Sequence, residues 1–263
     1  MSRNARIALA TGNAIAFLAT IIVNYLSNAL PINGQTPGDI SDKYYTLFTP
    51  AGLTFAIWGI IYLLLAIYII YQIIDAFRLQ TDDASFVDKI SIWFIVSCVA
   101  NSSWIFAWHY EILWLSVLIM LLLLTSLIVI YLHLNIGQSS SSTLTKSLVH
   151  VPFSIYLAWI SVATIANISA FLSSLGWQGG GLGAATWAII VILVAIGLGV
   201  LISQRKGDIF YAAVIAWACF GIYTARTNDE VIVQSIQWTA IVGIVLLLLS
   251  ACLLLFKKRT YLS

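Results

Sequence analysis

The run EILWLSVLIMLLLLTSLIVIYLHL at residues 111–134 decides the fold class, because almost every position in it is apolar. A membrane-spanning α-helix needs about 20 mostly apolar residues, since lipid offers no hydrogen-bond partners to its backbone. A membrane β-strand would alternate apolar and polar side chains, and Leu121–Leu124 does not alternate. The run therefore predicts a transmembrane helix.

Further runs of the same kind occupy most of the chain. They lie at 7–29, 50–73, 88–108, 148–173, 183–203, 208–226 and 233–256. Hydrophobic residues make up 61% of the 263 residues and charged residues only 8%, whereas about 25% charged residues is usual in soluble domains. The sequence therefore predicts an all-α integral membrane protein with about eight transmembrane helices.

The basic residues are distributed unevenly over the predicted loops. With the N-terminus placed inside, only Lys43 and Arg226 of the 12 basic residues fall outside. This bias follows the positive-inside rule, and an even number of spans returns the C-terminus to the same side. We expect a multi-pass protein of a prokaryotic cell membrane with both termini in the cytoplasm. The inside residues are Arg3, Arg6, Arg78, Lys89, Lys146, Arg205, Lys206, Lys257, Lys258 and Arg259.

Several function classes are disfavoured by missing motifs. The net charge of +2 and the lack of a basic stripe argue against a nucleic-acid partner. The chain has no phosphate-binding glycine loop followed by Lys-Ser or Lys-Thr and no hydrolase or zinc-protease signature. His109, His133 and His150 are too scattered for a metal site, although an axial haem ligand among them stays open. We expect no catalytic residues, no metal and no required cofactor.

Two charged turns are interpreted as solvated. His109 and Glu111 lie at a short predicted turn between spans, where a cation site or a proton relay is the alternative. The stretch Arg226–Glu230 follows span seven, and a gate or salt bridge at a pocket mouth is its alternative. In both turns a solvent-exposed role is the simpler expectation.

Three predicted helix faces combine aromatic rings with amides or small residues. Such a face can line a ligand pocket, because rings supply flat apolar area and amides fix orientation. The alternative is that the tryptophans belong to the interfacial belt and the asparagines join helices. The candidate ligand residues are Trp58 and Tyr62, then Asn101, Trp104 and Trp108, then Trp159, Ala163 and Asn167.

Three motifs in the same regions resemble a known family in order and spacing. TPAGLTFAIWGIIY at 49–62 is similar to the second-helix motif of the TspO family, the tryptophan-rich sensory proteins and translocator proteins formerly called peripheral-type benzodiazepine receptors. NSSW at 101–104 resembles the Asn-x-x-Trp of its third helix, and YLAWISVATIAN at 156–167 resembles its fifth-helix signature. The resemblance covers roughly residues 7–173.

The resemblance implies a five-helix bundle that binds hydrophobic ligands. Ligands in that family include porphyrins, haem and sterol-like molecules, so a tetrapyrrole is one expected ligand of this chain. The polar loop 30–49 would be a lid over the pocket. We expect a TspO-like bundle at 1–175 and a three-helix extension at 182–263, separated by the glycine run 179–181.

The chain departs from the family pattern at several positions. Gly52 stands where a pocket tryptophan is common, and Ala56 stands where a second proline is common. The last three spans have no counterpart in five-helix members. Ala195 and Gly199 form a small-x-x-x-small pair, which suits close packing within the fold or in a homodimer. These departures predict an extended member with a reshaped pocket.

Three functional hypotheses follow. The first is a membrane receptor or sensor that binds a small hydrophobic ligand, and Trp159→Ala is expected to weaken that binding. The second is a transporter of such a ligand, which is disfavoured because no acidic residue is placed within a span to couple protons. The third is an enzyme that degrades a bound porphyrin, which is disfavoured because the spans hold no acid–base pair.

Overall fold

The computed structural model describes residues 1–78, 85–177, 179–229 and 233–260, with side chains described to residue 256. Within these ranges the chain forms eight long helices and no strand. The helices are α1 (Arg3–Ala29), α2 (Ile57–Phe77), α3 (Trp93–His109), α4 (Leu113–Leu134), α5 (Val151–Ser174), α6 (Ala184–Lys206), α7 (Ile209–Thr227) and α8 (Gln234–Thr260).

The long helices match the spans predicted from the sequence. In the described part of the chain, seven of them are long and apolar enough to cross a membrane. The eighth, α3, has 17 residues, which is about the lower limit for a spanning helix. The prediction of an all-α, multi-pass membrane protein is confirmed.

The described residues fall into two compact units. Unit 1 comprises Met1–Ile40 and Trp58–Leu157, and unit 2 comprises Ser41–Ile57 and Ala158–Ser263. The predicted division into 1–175 and 182–263 follows the glycine run rather than these contacts and stays a prediction.

Unit 1 has an aromatic core. Tyr68 of α2, Phe94 of α3 and Phe153 of α5 are fully buried. The Tyr68 ring centroid lies 5.2 Å from that of Phe94 and 5.0 Å from that of Phe153, and both ring pairs meet edge to face. Such pairs contribute about 0.5–1.5 kcal/mol beyond the burial of their surface. The cluster therefore ties three helices of unit 1 together.

The third span begins later than the sequence predicts. A short helix, Phe86–Ile90, precedes α3 and ends at Ser91, whose φ of 52° interrupts the helical path. The carboxylate of Asp88 in this short helix accepts hydrogen bonds from Arg6 Nη2 at 2.9 Å and Nε at 3.3 Å. The charged residue thus lies in a separate segment fixed to α1, and the spanning helix starts at Trp93.

Unit 2 is built around close contacts between α6, α7 and α8. A methyl group added at Gly199 would overlap Leu247, and one added at Gly243 would overlap Ile196. Because glycine has no side chain at these two positions, α6 and α8 can approach closely. The predicted small-residue pair at Ala195 and Gly199 has this packing role within the chain, because Ala195 is buried as well.

The segment before α2 belongs to unit 2 and packs on α7. It forms a 3₁₀ turn, Gly52–Ala56, so the second span begins at Ile57 rather than at residue 50. The backbone N–H of Ala51 donates to the Gly221 carbonyl at 3.0 Å, and Trp217 Nε1 donates to the Thr54 carbonyl at 3.0 Å. These bonds hold the turn on α7 and satisfy one donor and one acceptor of its backbone.

Candidate ligand-binding site

Two predicted ligand residues of α2 stand in an aromatic cluster of unit 1. The rings of Trp58 and Tyr62 are stacked, with centroids 5.4 Å apart and an interplanar angle of 23°. The ring of Tyr156 in α5 meets Trp58 edge-on at 6.0 Å. The structure thus brings the second-helix motif and the start of the fifth-helix motif together within one unit.

The amide of Asn101 in α3 crosslinks this cluster to α1. Its Nδ2 donates to the Tyr156 hydroxyl at 3.1 Å, and its Oδ1 accepts from Asn24 Nδ2 at 2.7 Å. Asn101 is only 2% exposed. A buried amide that lost one of these partners would carry a desolvation cost of about 1–3 kcal/mol. Asn101 therefore fixes α1, α3 and α5 in register around the rings.

The Tyr62 hydroxyl is the chemically distinctive atom of the cluster. It is buried beside the Asn101 amide, but no hydrogen bond of good geometry joins it to any residue that the structure describes. A buried hydroxyl without a partner is uncommon, because its desolvation is left uncompensated. An acceptor or donor group on a bound molecule would supply the missing bond.

Trp104 and Trp108 form a second ring stack on α3, with centroids 5.3 Å apart. Trp108 is 5% exposed, and its Nε1 donates to the Pro37 carbonyl at 3.2 Å. Asn33 Nδ2 donates to the His109 carbonyl at 3.0 Å nearby. Trp108 therefore holds the first part of the 30–49 loop on α3, while its role as a ligand residue stays a prediction.

The expectation of a solvated turn at His109 is wrong. His109 is fully buried, and its Nδ1 lies 2.7 Å from the Ile105 carbonyl, to which it donates. Glu111 has a φ of 54° and accepts a hydrogen bond from Gln35 Nε2 at 3.1 Å. The loop residues that contact this turn lie 76 positions earlier in the chain, so the local sequence does not reveal the burial.

The three predicted ligand residues of the fifth-helix motif belong to unit 2. Trp159 is 1% exposed and meets the ring of Phe55 edge-on at 5.9 Å. Asn167 is buried and Ala163 is half-buried. Their assignment as ligand residues stays a prediction.

The expectation of a solvated helix end at Arg226 is also wrong. Its side chain is fully buried in unit 2, and Nη1 and Nη2 each donate at 3.3 Å to the carbonyls of Thr46 and Thr49. Its Nε lies 3.0 Å from Asp229 Oδ2. This is the salt bridge that the sequence left as an alternative. Glu230, grouped with it in the sequence, lies outside the described residues.

The sequence offers a gate or salt bridge at Arg226 only as an alternative, and it assigns no function to Tyr45. The only local signal was that Arg226 stands on the poorly charged side of the predicted topology, where a basic residue needs a specific reason. Its partners in the chain come from residues 45–49, so no helical spacing connects them.

Comparison with known proteins adds one finding. A family model described as TSPO-like protein matches residues 8–253, which takes in all or most of every long helix. The matched range is longer than the 7–173 covered by the sequence motifs and includes α6, α7 and most of α8. No curated protein and no solved structure matches the chain.

Proposed function

Because the chain belongs to the TSPO-like protein family, whose members are membrane proteins that bind hydrophobic ligands, we propose that it is a receptor or sensor for such a ligand. Porphyrin, haem and sterol-like molecules are the ligand classes to test. The proposed site is the unit 1 cluster of Trp58, Tyr62, Asn101 and Tyr156.

The Tyr62 hydroxyl carries the proposal. It is a buried polar atom without a hydrogen bond of good geometry to any described residue, and it stands beside the stacked Trp58 ring. Ring faces offer apolar contact to a flat ligand, and one convergent polar group orients it. The Asn101 amide is already hydrogen-bonded to Asn24 and Tyr156, so it positions the helices. The Tyr62 hydroxyl is then the group that would hydrogen-bond to the ligand.

A fluorescence titration of purified protein in detergent tests this site. Protoporphyrin and haemin are added to wild type and to Tyr62→Phe, which keeps the ring and removes only the hydroxyl. We expect saturable quenching in wild type and a dissociation constant raised about five- to tenfold in Tyr62→Phe, as for one lost hydrogen bond. Trp238→Phe is the matched control, because Trp238 is 64% exposed and stands in unit 2.

Linear, unsaturable quenching in wild type would rule out both ligands, and equal affinity of wild type and Tyr62→Phe would rule out the site. Trp159→Ala in the same titration tests the predicted contribution of the fifth-helix motif. The proposal is for binding without catalysis. Protoporphyrin incubated with the protein in light and in darkness should therefore be recovered chemically unchanged.

A further inference from the structure

A cavity of about 330 Å³ lies entirely within unit 2. One wall is the chain segment Tyr45–Phe48, and the others are the end of α5, the turn that follows it and the start of α6. None of its lining residues belongs to the unit 1 cluster. The volume is at the lower end of the range of about 300–1,000 Å³ that small-molecule pockets occupy.

The lining is aromatic and uncharged. Tyr45, Phe48, Trp177 and Trp187 supply the rings, and the indoles of Trp177 and Trp187 meet edge to face with centroids 4.8 Å apart. The other lining residues are small, apolar or hydroxyl-bearing, and none is charged. An ionised ligand would lose its hydration without gaining a counter-charge, so the cavity favours a neutral one.

Trp187, which lines the cavity, has a buried polar atom without a partner. Trp187 Nε1 is buried and makes no hydrogen bond in the part of the chain that the structure describes. An indole nitrogen is a donor only, so its missing partner is an acceptor. Buried tryptophan N–H groups usually find such a partner, which points to an oxygen of a bound molecule.

The wall formed by Tyr45–Phe48 is held in place by hydrogen bonds to residues at the end of α7. Arg226 donates to the Thr46 carbonyl, and the Tyr45 hydroxyl donates to both oxygens of Asp229 at 2.9 and 3.0 Å. Phe48 is only 2% exposed. The cavity is therefore framed by fixed side chains rather than by a free loop.

We propose that this cavity is a second ligand site, which takes a neutral, mainly apolar small molecule through a carbonyl or ether oxygen that accepts from Trp187 Nε1. The ring faces of Trp177 and Phe48 would contact its apolar body, and the hydroxyls of Ser169 and Ser173 would face its polar edge. The site is built largely from α6 and the turn before it, beyond the motifs of the first five helices.

Benzophenone is a suitable probe, because it is a neutral diaryl ketone and labels its binding site on irradiation. Full-length protein in detergent is irradiated with increasing benzophenone, and the labelled peptides are identified by mass spectrometry. We expect saturable labelling of peptides that contain 169–177 and 184–188. Labelling that rises linearly and spreads over lipid-facing helices would overturn the proposal.

The hydrogen bond is tested with Trp187→Phe, which keeps an aromatic wall and removes the N–H. We expect the half-saturating benzophenone concentration to rise about tenfold, while Trp238→Phe leaves it unchanged. Diphenylmethane lacks the oxygen, so it should bind wild type about tenfold more weakly than benzophenone does, measured as the concentration that halves benzophenone labelling. In Trp187→Phe the two compounds should bind equally well. Equal competition in wild type would overturn the assignment of the oxygen.

A cavity-filling variant tests whether benzophenone binds in the cavity without changing Trp187 itself. Ser173→Phe places a ring in the cavity and should abolish saturable labelling, while the protein still elutes as wild type and binds porphyrin as before. Saturable labelling retained in Ser173→Phe would show that the label sits elsewhere and would also overturn the proposal.

Discussion

The guanidinium of Arg226 lies over the ring of Tyr45, with 4.8 Å from Cζ to the ring centroid. Both side chains also meet Asp229, through the Arg226 ion pair and the Tyr45 hydrogen bonds. A cation over an aromatic face is stabilised by about 0.5–2 kcal/mol, depending on burial. The three residues form a clasp, defined as Tyr45, Arg226 and Asp229, that fixes the segment before α2 to the end of α7.

Removing the charge of the clasp should destabilise unit 2. Arg226→Met keeps much of the buried volume but loses the ion pair and both bonds to the carbonyls of Thr46 and Thr49. We expect a loss of about 2–3 kcal/mol in the free energy of unfolding, because two carbonyls and one carboxylate lose a charged partner. Denaturation in a mixed-micelle SDS titration measures it.

The matched control for this variant is Arg3→Met, which removes an exposed arginine from the other end of the chain. Its unfolding free energy should stay within about 0.5 kcal/mol of wild type. Limited proteolysis should cut Arg226→Met faster than wild type within 41–49. Equal losses in the two variants would mean that the clasp contributes no specific stability.

The clasp should also respond to alkaline pH. Burial, together with Asp229, raises the pKa of Tyr45 to about 12 against the opposing effect of Arg226. A tyrosine ordinarily ionises near about pH 10. Because the folded pKa is the higher one, the contribution of Tyr45 is fully present below about pH 10 and is lost as pH rises toward about 12.

This alkaline loss is measured as the thermal midpoint of wild type minus that of Tyr45→Phe. The difference should be constant up to about pH 10 and then shrink. The chain has 12 tyrosines, so the variant is needed to isolate one of them. A difference that stays constant to pH 12 would contradict the raised pKa of Tyr45.

Gly221 should tolerate no side chain. A Cβ at this position would overlap the side chain of Thr54, and the Gly221 carbonyl accepts from Ala51. We expect Gly221→Ala to destabilise the protein by about 1–3 kcal/mol through overpacking. Gly197→Ala is the control, since a Cβ there meets no atom within 4 Å.

A second substitution can test whether the destabilisation of Gly221→Ala arises from the overlap with Thr54. Thr54→Gly in the Gly221→Ala background removes the atoms that the new methyl group would overlap. It should restore part of the lost stability, measured in the same SDS titration. No recovery would show that the loss arises elsewhere on α7.

The sequence predicts the spans well because each one is a local property of composition. A run as long and as apolar as 111–134 predicts a spanning helix whatever lies elsewhere in the chain. The helix starts are predicted less well. α2 begins at Ile57 because residues 51–54 bond to α7, and α3 begins at Trp93 because Ser91 adopts a positive φ.

The polar residues also divide into those that the local sequence predicts and those whose surroundings come from distant parts of the chain. Asn101 was a candidate because an amide in a span is unusual, and the structure gives it two partners. The sequence predicts solvated side chains for Arg226 and His109 because both lie next to short predicted turns. Their actual partners or covering residues come from the 30–49 loop, which no periodicity relates to them.

The Arg6–Asp88 pair in unit 1 should make stability depend on acid pH. Partial burial alone would raise the pKa of Asp88, but the hydrogen bonds and charge of Arg6, with the N-terminal ammonium, outweigh it and hold that pKa below its ordinary value. For a carboxyl group lowered in this way, the stabilisation is present above about pH 4. It is lost as pH falls through the folded pKa.

Asp88→Asn keeps the shape of the side chain and removes the charge, so it should cost about 1 kcal/mol at neutral pH. Because the variant has no carboxyl group at this position, its thermal midpoint should approach that of wild type as the pH is lowered below about 4. Asp42→Asn, at an exposed position, should match wild type at neutral pH. If Asp88→Asn and wild type keep the same separation down to the lowest pH at which the protein stays soluble, the ion pair is not the source of the difference, and the short helix Phe86–Ile90 is held by its buried apolar side chains alone.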